Sequence, residues 1–376
     1  MFVNKAYRFR LYPNKKQEVL IAKTIGCSRF VFNRFLSLWN ESYQTTGKGL
    51  SFNFCSSQLT QLKKELEWLK EVDSHALQSS LKNLADSFDR YFKKQNEAPR
   101  FKNKRNNVQS YTTNIEKKNQ NPEVSIAENR LKLPKLGWIR FANCREVKGR
   151  ILNATIRKSP SGRYFVSLLV ETEVKEIPKT ASTVGIDVGL KDFAILSNGK
   201  VYKNPKFFRA LEEKLAKAQR ILSRRQRLAI QQKRPLSEAK NVQKQRIKVA
   251  RIHEQVVHAR TNYLQKISTE IIKNHDIIGI EDLQVSNMIK NRKLAKAISE
   301  VSWSEFRTML EYKAKWYGRQ VIAVDPRHTS QKCHSCGHTA KENRQTQAAF
   351  ICVSCGHSEN ADINASRNIH ELAILL

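Results

Sequence analysis

The spacing of hydrophobic residues predicts a strand, a helical segment and a β-rich segment in the first half of the chain. Residues 5–11, KAYRFRL, alternate apolar and basic positions, as in a half-buried strand. From 13 to 95 apolar residues recur every three or four positions, and Asn14 stands where a helix N-cap is expected. Between about 124 and 175 the period returns to two, and a Pro-Ser-Gly turn separates the last two predicted strands. The pattern predicts mixed α and β structure.

The second half of the chain predicts strands and helices in alternation. TVGIDVGL and DFAIL predict two strands, and the Asn-Gly pair in SNGK predicts a hairpin that returns from the second. Two long helical patterns follow. After them come the strand IIGIE, a helix capped by Gly318, the strand QVIAV and a final helix that begins near residue 362. At 376 residues, the chain is long enough for two or three domains.

The net charge of the chain indicates which class of molecule it binds. The chain has 68 Lys and Arg against 34 Asp and Glu, a formal net charge of +34. Because basic side chains release condensed counterions when they contact phosphates, this excess favours a nucleic acid; a merely soluble basic surface and a membrane-surface protein are the alternatives. No apolar stretch predicts a membrane span, and the N-terminus does not resemble a signal peptide. We expect a cytosolic protein.

Two basic segments are candidates for contact with a sugar-phosphate backbone. Residues 214–251 contain thirteen Lys or Arg and a single acid, Glu238, so few intrahelical ion pairs can form. A charge run on a helix is usually only a solvated face, but the scarcity of acids here favours phosphate contact. Residues 96–122 are also basic and polar. In the helical segment, the residues predicted to face nucleic acid phosphates are Arg220, Arg224, Arg225, Lys244, Lys248 and Arg251.

Three acids lie within predicted strands or at the end of a predicted strand or helix. The strand IIGIE ends on Glu281, Asp187 lies inside the strand TVGIDVGL, and Asp362 begins the last helix. With these acids, the element order is that of the ribonuclease H-like fold, in which three carboxylates converge at one end of a mixed sheet. Carboxylates placed so closely repel one another unless divalent cations neutralise them. We therefore expect Asp187, Glu281 and Asp362 to hold two Mg²⁺ ions that support phosphodiester hydrolysis.

Other acids compete with this set. Asp282 adjoins Glu281 and so points to the opposite face of a strand, and Asp192 falls beyond the end of the first strand. Asp325 is the third competitor. Each acid taken alone could be a structural hydrogen-bonding residue, and only the order of the elements favours the set.

Four of the seven cysteines form two Cys-x-x-Cys pairs that are separated by fifteen residues, each pair followed by Gly-His. Such pairs supply four thiolates at tetrahedral reach and predict one structural Zn²⁺; a redox dithiol and an iron–sulfur centre are the alternatives. The predicted ligands are Cys333, Cys336, Cys352 and Cys355. The substitute ligands are His334, His338 and His357, and the nearby basic residues that favour nucleic acid contact are Lys332, Lys341 and Arg344. The cysteines expected to be reduced core residues are Cys27, Cys55 and Cys144.

With these residues in view, the chain resembles the TnpB (OrfB) family of transposon-encoded RNA-guided nucleases, relatives of type V CRISPR effectors. The resemblance spans nearly the whole chain. It includes KAYRFRLYPNKKQ and SRFVFNRFL near the start, PRFKNKRN in the middle, VGIDVGLKDFAI around Asp187, and the run from IEDLQVSNM to AKWYG. The two cysteine pairs and DINASRNI complete it.

The resemblance implies a multidomain α+β protein and the same carboxylates and cysteines as above. Its implied activity is RNA-guided DNA cleavage by two-metal-ion hydrolysis beside a short motif in double-stranded DNA, in support of transposon maintenance. The guide would be a noncoding RNA from the transposon end, carried by a protein monomer in the nucleoid-associated cytoplasm of a bacterium or archaeon. The basic segment 214–251 and the wedge would contact the backbone of the RNA or of its heteroduplex with DNA. The implied domains are a wedge-like β-barrel (1–12 and 96–178), a helical recognition lobe (13–95), a RuvC nuclease domain (179–324 and 360–376) and an inserted zinc ribbon that binds target nucleic acid (325–359).

The resemblance also implies residues that read the DNA motif. They are Phe52, Ser56, His75 and Gln78, for which ordinary helix surface or core is the alternative. The chain departs from the family pattern where Asn360 and Ala361 precede Asp362, since relatives carry an Asp-Arg pair there. This departure puts the metal affinity and the placement of the last acid in question.

Other function classes stay open at this stage. One is a non-cleaving, RNA-guided DNA-binding regulator, and another is an accessory DNA-binding protein of transposition. A strand-transferring transposase or a junction resolvase would use the same three acids. The presence of all three acids favours the nuclease over the regulator.

Overall fold

The computed structural model describes residues 1–106, 108–115 and 124–376. Part of the basic segment predicted at 96–122 therefore lies outside the described residues. The chain forms two compact units, one of residues 2–173 and one of residues 174–376 together with Met1. Each unit has its own sheet and its own hydrophobic core. The finer division into four domains stays a prediction.

The first unit contains a seven-stranded sheet in which every neighbouring pair is antiparallel. Its strands are β1 (Phe2–Tyr12), β2 (Gln109–Asn114), β3 (Ser125–Ala127), β4 (Arg130–Leu133), β5 (Gly137–Phe141), β6 (Arg150–Lys158) and β7 (Tyr164–Glu173). They lie in the order β2-β6-β7-β1-β5-β4-β3. Alternate residues such as Phe9, Leu11 and Val166 enter one core, which explains the period of two in the sequence.

Helices complete the first unit. They are α1 (Lys15–Thr46), α2 (Phe52–Glu65) and α3 (Ser74–Phe92), with a 3-10 turn at Glu67–Lys70. The predicted cap is confirmed, because Asn14 Oδ1 accepts the Gln17 N–H at 2.9 Å and Gln17 Oε1 accepts the Asn14 N–H at 3.1 Å. The helical patterns on either side of Gly26 form one continuous helix, since this glycine lies within α1.

The second unit contains a five-stranded mixed sheet. Its strands are β8 (Thr183–Val188), β9 (Asp192–Leu196), β10 (Val201–Lys203), β11 (Ile277–Glu281) and β12 (Gln320–Val324), in the order β10-β9-β8-β11-β12. Strands β8, β11 and β12 are mutually parallel, whereas β9 and β10 run antiparallel to their neighbours. The hairpin predicted at Asn198-Gly199 joins β9 to β10, with φ of +85° at the glycine.

Helices and a small hairpin complete the second unit. They are α4 (Phe207–Gln231), α5 (Lys240–Asn274), α6 (Val285–Met288), α7 (Ala295–Val301), α8 (Trp303–Tyr317) and α9 (Ala361–Leu375), and a small hairpin pairs β13 (Ala349–Ile351) with β14 (Ser358–Asn360). Side chains of α5 and α8 share one core with Val184, Ile186 and Ile280. Gly318 ends α8 in the left-handed conformation, as predicted. Within the described residues, every helix is too short or too polar to cross a lipid bilayer.

Candidate functional site

Two glycines let α9 lie close against the sheet. Gly185 shares a face of β8 with Asp187, and Gly279 shares a face of β11 with Glu281, because alternate strand residues point the same way. A Cβ at Gly185 would stand 2.2 Å from the carbonyl oxygen of Ser366 in α9, and one at Gly279 would stand 2.7 Å from a side-chain atom of α9. Only glycine permits this approach, so α9 covers the face that carries both acids.

Asp362 lies in the first turn of α9. The side-chain oxygen of Asn360 accepts the backbone N–H groups of Asp362 and Ile363, at 3.0 and 3.2 Å, and thereby caps the helix. Ala361 is fully buried beside the cysteines. The Asn-Ala pair that departs from the family pattern thus begins the helix in an ordinary way, and the helix N-terminus favours a carboxylate there.

The three acids interact electrostatically. Burial, together with the negative charges of Glu281 and Asp362, raises the pKa of Asp187 to about 8. Burial also raises the pKa of Glu281. Asp187 therefore keeps its proton at neutral pH unless a cation takes its place, which is the behaviour of an oxygen-lined cation site.

Arg344 supplies positive charge to this cluster. Its Nη2 donates to Asp362 Oδ1 at 2.9 Å and to the carbonyl of Gln347 at the same distance. The guanidinium opposes the rise in the pKa values of Asp187 and Glu281. The sequence pattern favoured nucleic acid contact for Arg344, whereas the structure brings this side chain to the acids.

Thr329 positions the carboxylate of Glu281, and this role was not predicted from the sequence. Its hydroxyl donates to Glu281 Oε1 at 2.7 Å, and the residue is only 4% exposed. This hydrogen bond also opposes the effect of burial on the pKa of Glu281. No spacing rule connects a threonine in the loop after β12 with the end of β11, so the sequence carries no signal for it.

The competing acids have partners of their own outside the cluster. Asp282 continues the ladder past β11 by donating its N–H to the carbonyl of Val324 at 2.8 Å. The cationic partners are Arg307 for Asp282, Lys203 for Asp192 and Arg327 for Asp325. Each of these acids is therefore used in a local ion pair.

The four cysteine sulfurs lie together as the spacing predicts. All four Sγ atoms are within 4.8 Å of one another, with 3.6 Å between Cys336 and Cys352 and 3.8 Å between Cys333 and Cys355. Thiolates around one Zn²⁺ at about 2.3 Å would be separated by roughly 3.8 Å, so the group fits a tetrahedral ion. In the part of the chain that the structure describes, this is the one such close group of Cys, His, Asp or Glu, and the neighbouring histidines stay outside it.

The backbone of each cysteine pair forms the same tight turn. Gly337 and Gly356 have φ of +77° and +72°, and their N–H groups donate to the carbonyls of Cys333 and Cys352, both at 2.9 Å. The backbone N–H of Cys355 leads the contributions that lower the pKa of Cys352 to about 6. The turns thus direct donors towards a thiolate, as a metal-binding pair requires.

The basic residues predicted on α4 and α5 divide into two groups. Arg225 donates to the carbonyl of Asn241 at 3.0 Å and to Gln245 Oε1 at 3.3 Å, and so ties the two helices together. The side chains that remain exposed are Arg220, Arg224, Lys244, Lys248 and Arg251. Their contact with nucleic acid stays a prediction.

The predicted motif-reading residues lie on α2 and α3 and are half-buried. Ser56 Oγ donates to Gln78 Oε1 at 3.2 Å, and the Lys82 ammonium lies 6.0 Å from the ring centre of Phe52. The backbone N–H of His75 bonds to Asp73, which caps α3. Two of the four are thus brought together, and their role stays a prediction.

Comparison with known proteins places the chain in a family. A family model described as a helix-turn-helix domain matches residues 1–48, one described as a probable transposase matches 167–292, and one described as the Cas12f1-like TNB domain matches 303–369. The "Putative RNA-guided DNA endonuclease InsQ" of Escherichia coli (strain K12) is 38% identical over 384 residues, which cover 97% of this chain and 91% of that protein. The chain belongs to the TnpB (OrfB) family.

Further comparisons agree with membership of the TnpB family. A "Putative RNA-guided DNA endonuclease" of Streptomyces pristinaespiralis is 34% identical, over 98% of this chain and 89% of that protein. Among solved structures, a chain from "Cryo-EM structure of the Cas12f1-sgRNA-target DNA complex" matches with a TM-score of 0.60 at 14% identity, covering 98% of this chain and 99% of that chain. This last likeness concerns the fold alone. The resemblance to the TnpB family drawn from the sequence is confirmed.

Proposed function

We propose that this chain is a transposon-encoded, RNA-guided DNA endonuclease whose centre is formed by Asp187, Glu281 and Asp362. The order of the five-stranded sheet, with three parallel strands beside an antiparallel hairpin, supports an RNase H-like, RuvC-type nuclease domain. One observation carries the proposal: α9, whose first turn contains Asp362, packs on the sheet face that carries Asp187 and Glu281. The names of the E. coli and Streptomyces relatives support the same activity. The completeness of the acid set favours cleavage over a regulator that only binds DNA.

The chemistry assigns a task to each residue of the centre. Two Mg²⁺ ions, when bound by the three carboxylates, would activate the attacking water and stabilise the leaving oxygen of a phosphodiester. Asp187, once its proton has passed to solvent, would be one of the ligands that hold these ions. Thr329 orients the carboxylate of Glu281 through its hydroxyl. Arg344, freed from Asp362, can donate to a phosphate oxygen with the planar fork that suits phosphate.

The cysteine group is proposed to bind one structural Zn²⁺. Arg344 lies between the two cysteine pairs in sequence and forms a backbone bridge with Phe350, which is buried beside Cys333 and Cys352. A closed zinc site would therefore fix the loop that carries Arg344 to the acids. This links the ribbon to the proposed chemistry through a named side chain.

The proposed partners are a noncoding guide RNA from the transposon end and double-stranded target DNA. The net charge of +34 supports a long polyanion, and base pairing with the guide would supply sequence specificity. A protein monomer in the ribonucleoprotein, the four-domain division and motif reading by Phe52, Ser56, His75 and Gln78 complete the proposal.

The experiment expresses the full chain with its flanking transposon-end DNA. Sequencing of the copurified RNA should return a single species from that end, and the particle should cut a plasmid carrying a matched target only when Mg²⁺ is present. Asp187→Ala should abolish cutting and leave RNA-directed DNA binding nearly intact. Cutting by that variant would remove Asp187 from the centre, and binding without cutting by the wild type would establish the regulator instead.

A further inference from the structure

Helices α4 and α5 line an open pocket of about 350 Å³. The two helices are consecutive and antiparallel, because Arg225 near the end of α4 bonds Asn241 and Gln245 near the start of α5. The pocket floor is apolar and consists of Ala218, Ile221 and Ile252. We call this feature, lined on its floor by these three residues, the hairpin pocket.

Two rows of cations border the hairpin pocket. Lys214 and Lys217 line it from α4, and Lys248 and Arg251 line it from α5. Residues three apart lie on the same side of a helix, so each helix contributes one row. Among the described residues that line the pocket none is acidic, and in the same described part of the chain the three lysines take part in no ion pair.

The pocket is held open by a buried amide. Gln245 is 3% exposed; its Nε2 donates to the carbonyl of Ala218 at 2.9 Å, and its Oε1 accepts from Arg225. Both ends of this side chain are thus used to fix the spacing of α4 and α5. A ligand would meet a preformed apolar floor with charged borders, and about 350 Å³ lies within the range of ligand pockets.

The apolar floor and the cationic borders together indicate which kind of ligand the hairpin pocket can bind. A phosphate backbone alone would be attracted by the cations, but it would leave the apolar floor exposed to water. A purely apolar ligand would have no use for four cations. An unpaired nucleotide satisfies both, because its flat base can lie on the floor or stack on the Arg251 guanidinium while the phosphates on either side meet the two rows. A base inside a duplex is stacked between its neighbours and cannot enter.

We propose that the hairpin pocket binds an unstacked nucleobase of single-stranded RNA, with the flanking phosphates on the two rows of cations. This inference rests on the proposed function, since it takes the ligand to be the RNA that the protein carries. The pocket would anchor the RNA at one nucleotide, whereas the exposed arginines of α4 would follow its backbone.

The test uses the purified full-length protein and a short oligouridylate that contains photoreactive thiouridine. Crosslinks should map by mass spectrometry to the peptides that contain Ile221 or Ile252. Ala218→Leu fills the pocket without changing charge and should lower that yield about tenfold or more. Ile230→Ser, at a 63% exposed position of α4 outside the pocket, is the matched control and should leave the yield unchanged. An abasic ribose-phosphate oligomer of equal length should compete poorly.

Charge variants separate base binding from backbone binding. The double variant Lys217→Gln, Lys248→Gln should weaken binding and reduce the salt slope by roughly 0.7 per lost phosphate contact, yet retain the preference for base over abasic oligomer. If Ala218→Leu unfolds, as checked by circular dichroism, Ile221→Ser takes its place. Equal competition by the abasic oligomer, or an unchanged yield in a folded floor variant, would overturn the proposal in favour of backbone contact only.

The same protein separates the two proposals. Plasmid cleavage that persists while the pocket crosslink is absent contradicts the pocket alone. A base-dependent crosslink in a wild type that never cuts supports the pocket and contradicts the nuclease assignment.

Discussion

The cysteine group and the carboxylate group are two candidate metal sites that the chain builds in opposite ways. The cysteines come from residues 333–355, and each pair is shaped by its own backbone turn with a glycine at positive φ. The acids come from two strands and a helix spread over residues 187–362, and α9 packs against Gly185 and Gly279 on the strand face that carries two of them. A local site should depend on its own ligands, whereas a distributed site should depend on distant packing as well.

Arg344 makes the second site depend on the first. It belongs to the loop between the cysteine pairs but bonds to Asp362. Loss of the cysteine site should therefore disturb the acids, whereas loss of an acid should leave the cysteine site whole.

The largest effect is expected at the acids themselves. Glu281→Gln should lower single-turnover plasmid cleavage by about a thousandfold or more, because a neutral amide cannot replace a charged metal ligand. Asp282→Asn is the matched control one residue away, and it should change the rate by only a few-fold since Asp282 pairs with Arg307. Zinc content should stay the same in both variants. Equal losses in the two variants would remove Glu281 from the centre.

Removal of a cysteine should affect both sites. Cys336→Ser should release zinc, measured by elemental analysis, and destabilise the ribbon by several kcal/mol because metal binding supplies its folding energy. Cleavage should fall at least tenfold as Arg344 loses its support. Cys144→Ser should change neither quantity, because this thiol lies outside the group. The prediction that Cys144 is a core residue is wrong, since its side chain is exposed, whereas Cys27 and Cys55 are buried. A wild type without zinc would contradict the proposed ribbon.

The packing of α9 offers a way to disturb only the distributed site. Gly185→Ala would bring a methyl group to 2.2 Å from the Ser366 carbonyl, so we expect a loss of about 2 to 3 kcal/mol in unfolding free energy and weaker cleavage. Zinc should remain bound. Gly26→Ala, a helix glycine with no atom near its Cβ position, should be neutral or stabilising by up to about 1 kcal/mol. Zinc loss in Gly185→Ala would contradict the independence of the cysteine site.

A smaller effect is expected from the hydroxyl that orients Glu281. Thr329→Val should lower the cleavage rate about tenfold, since one hydrogen bond to a charged group is worth roughly 1.5 kcal/mol. Thr329→Ser keeps the donor and should restore most of the rate. A rise in the Mg²⁺ concentration needed for half-maximal cleavage should accompany the valine variant. Equal rates for valine and serine would show that the hydroxyl has no part in the site.

The smallest effect is expected on the stability of the fold, at a buried lysine of α8. Lys313 of α8 is 3% exposed, donates to Ser268 and Thr269 and has its pKa lowered to about 8 by burial. Between about pH 8 and 10.5 the unfolded chain therefore binds more protons than the folded one, and stability should rise with pH in this window. Lys313→Met should lack that rise, which denaturant unfolding at pH 8 and at about pH 9.5, at matched ionic strength, would register as roughly 1 to 2 kcal/mol. Parallel pH curves for the two proteins would contradict this.

Much of the second unit could be predicted from local patterns. The alternation in TVGIDV and IIGIE, the Asn-Gly hairpin and the Gly318 cap each depend on a few neighbouring residues, and each is present in the structure. The roles of Thr329 and Arg344 could not be predicted in this way. Both side chains come from loops whose approach to the acids depends on how β12, the ribbon and α9 pack together.

The sequence alone determined the strands and helices, the group of four thiols and the basic charge. Hydrophobic period and cysteine spacing depend on neighbouring residues, and net charge depends only on composition, so none of them requires knowledge of the tertiary structure. Only the tertiary structure decided which acids share a face, which of them are held in separate ion pairs, and where a cationic pocket opens between α4 and α5. The physical reason is that electrostatic and packing energies depend on distances in space. Two glycines allow α9, which carries Asp362, to lie on the sheet face that carries Asp187 and Glu281.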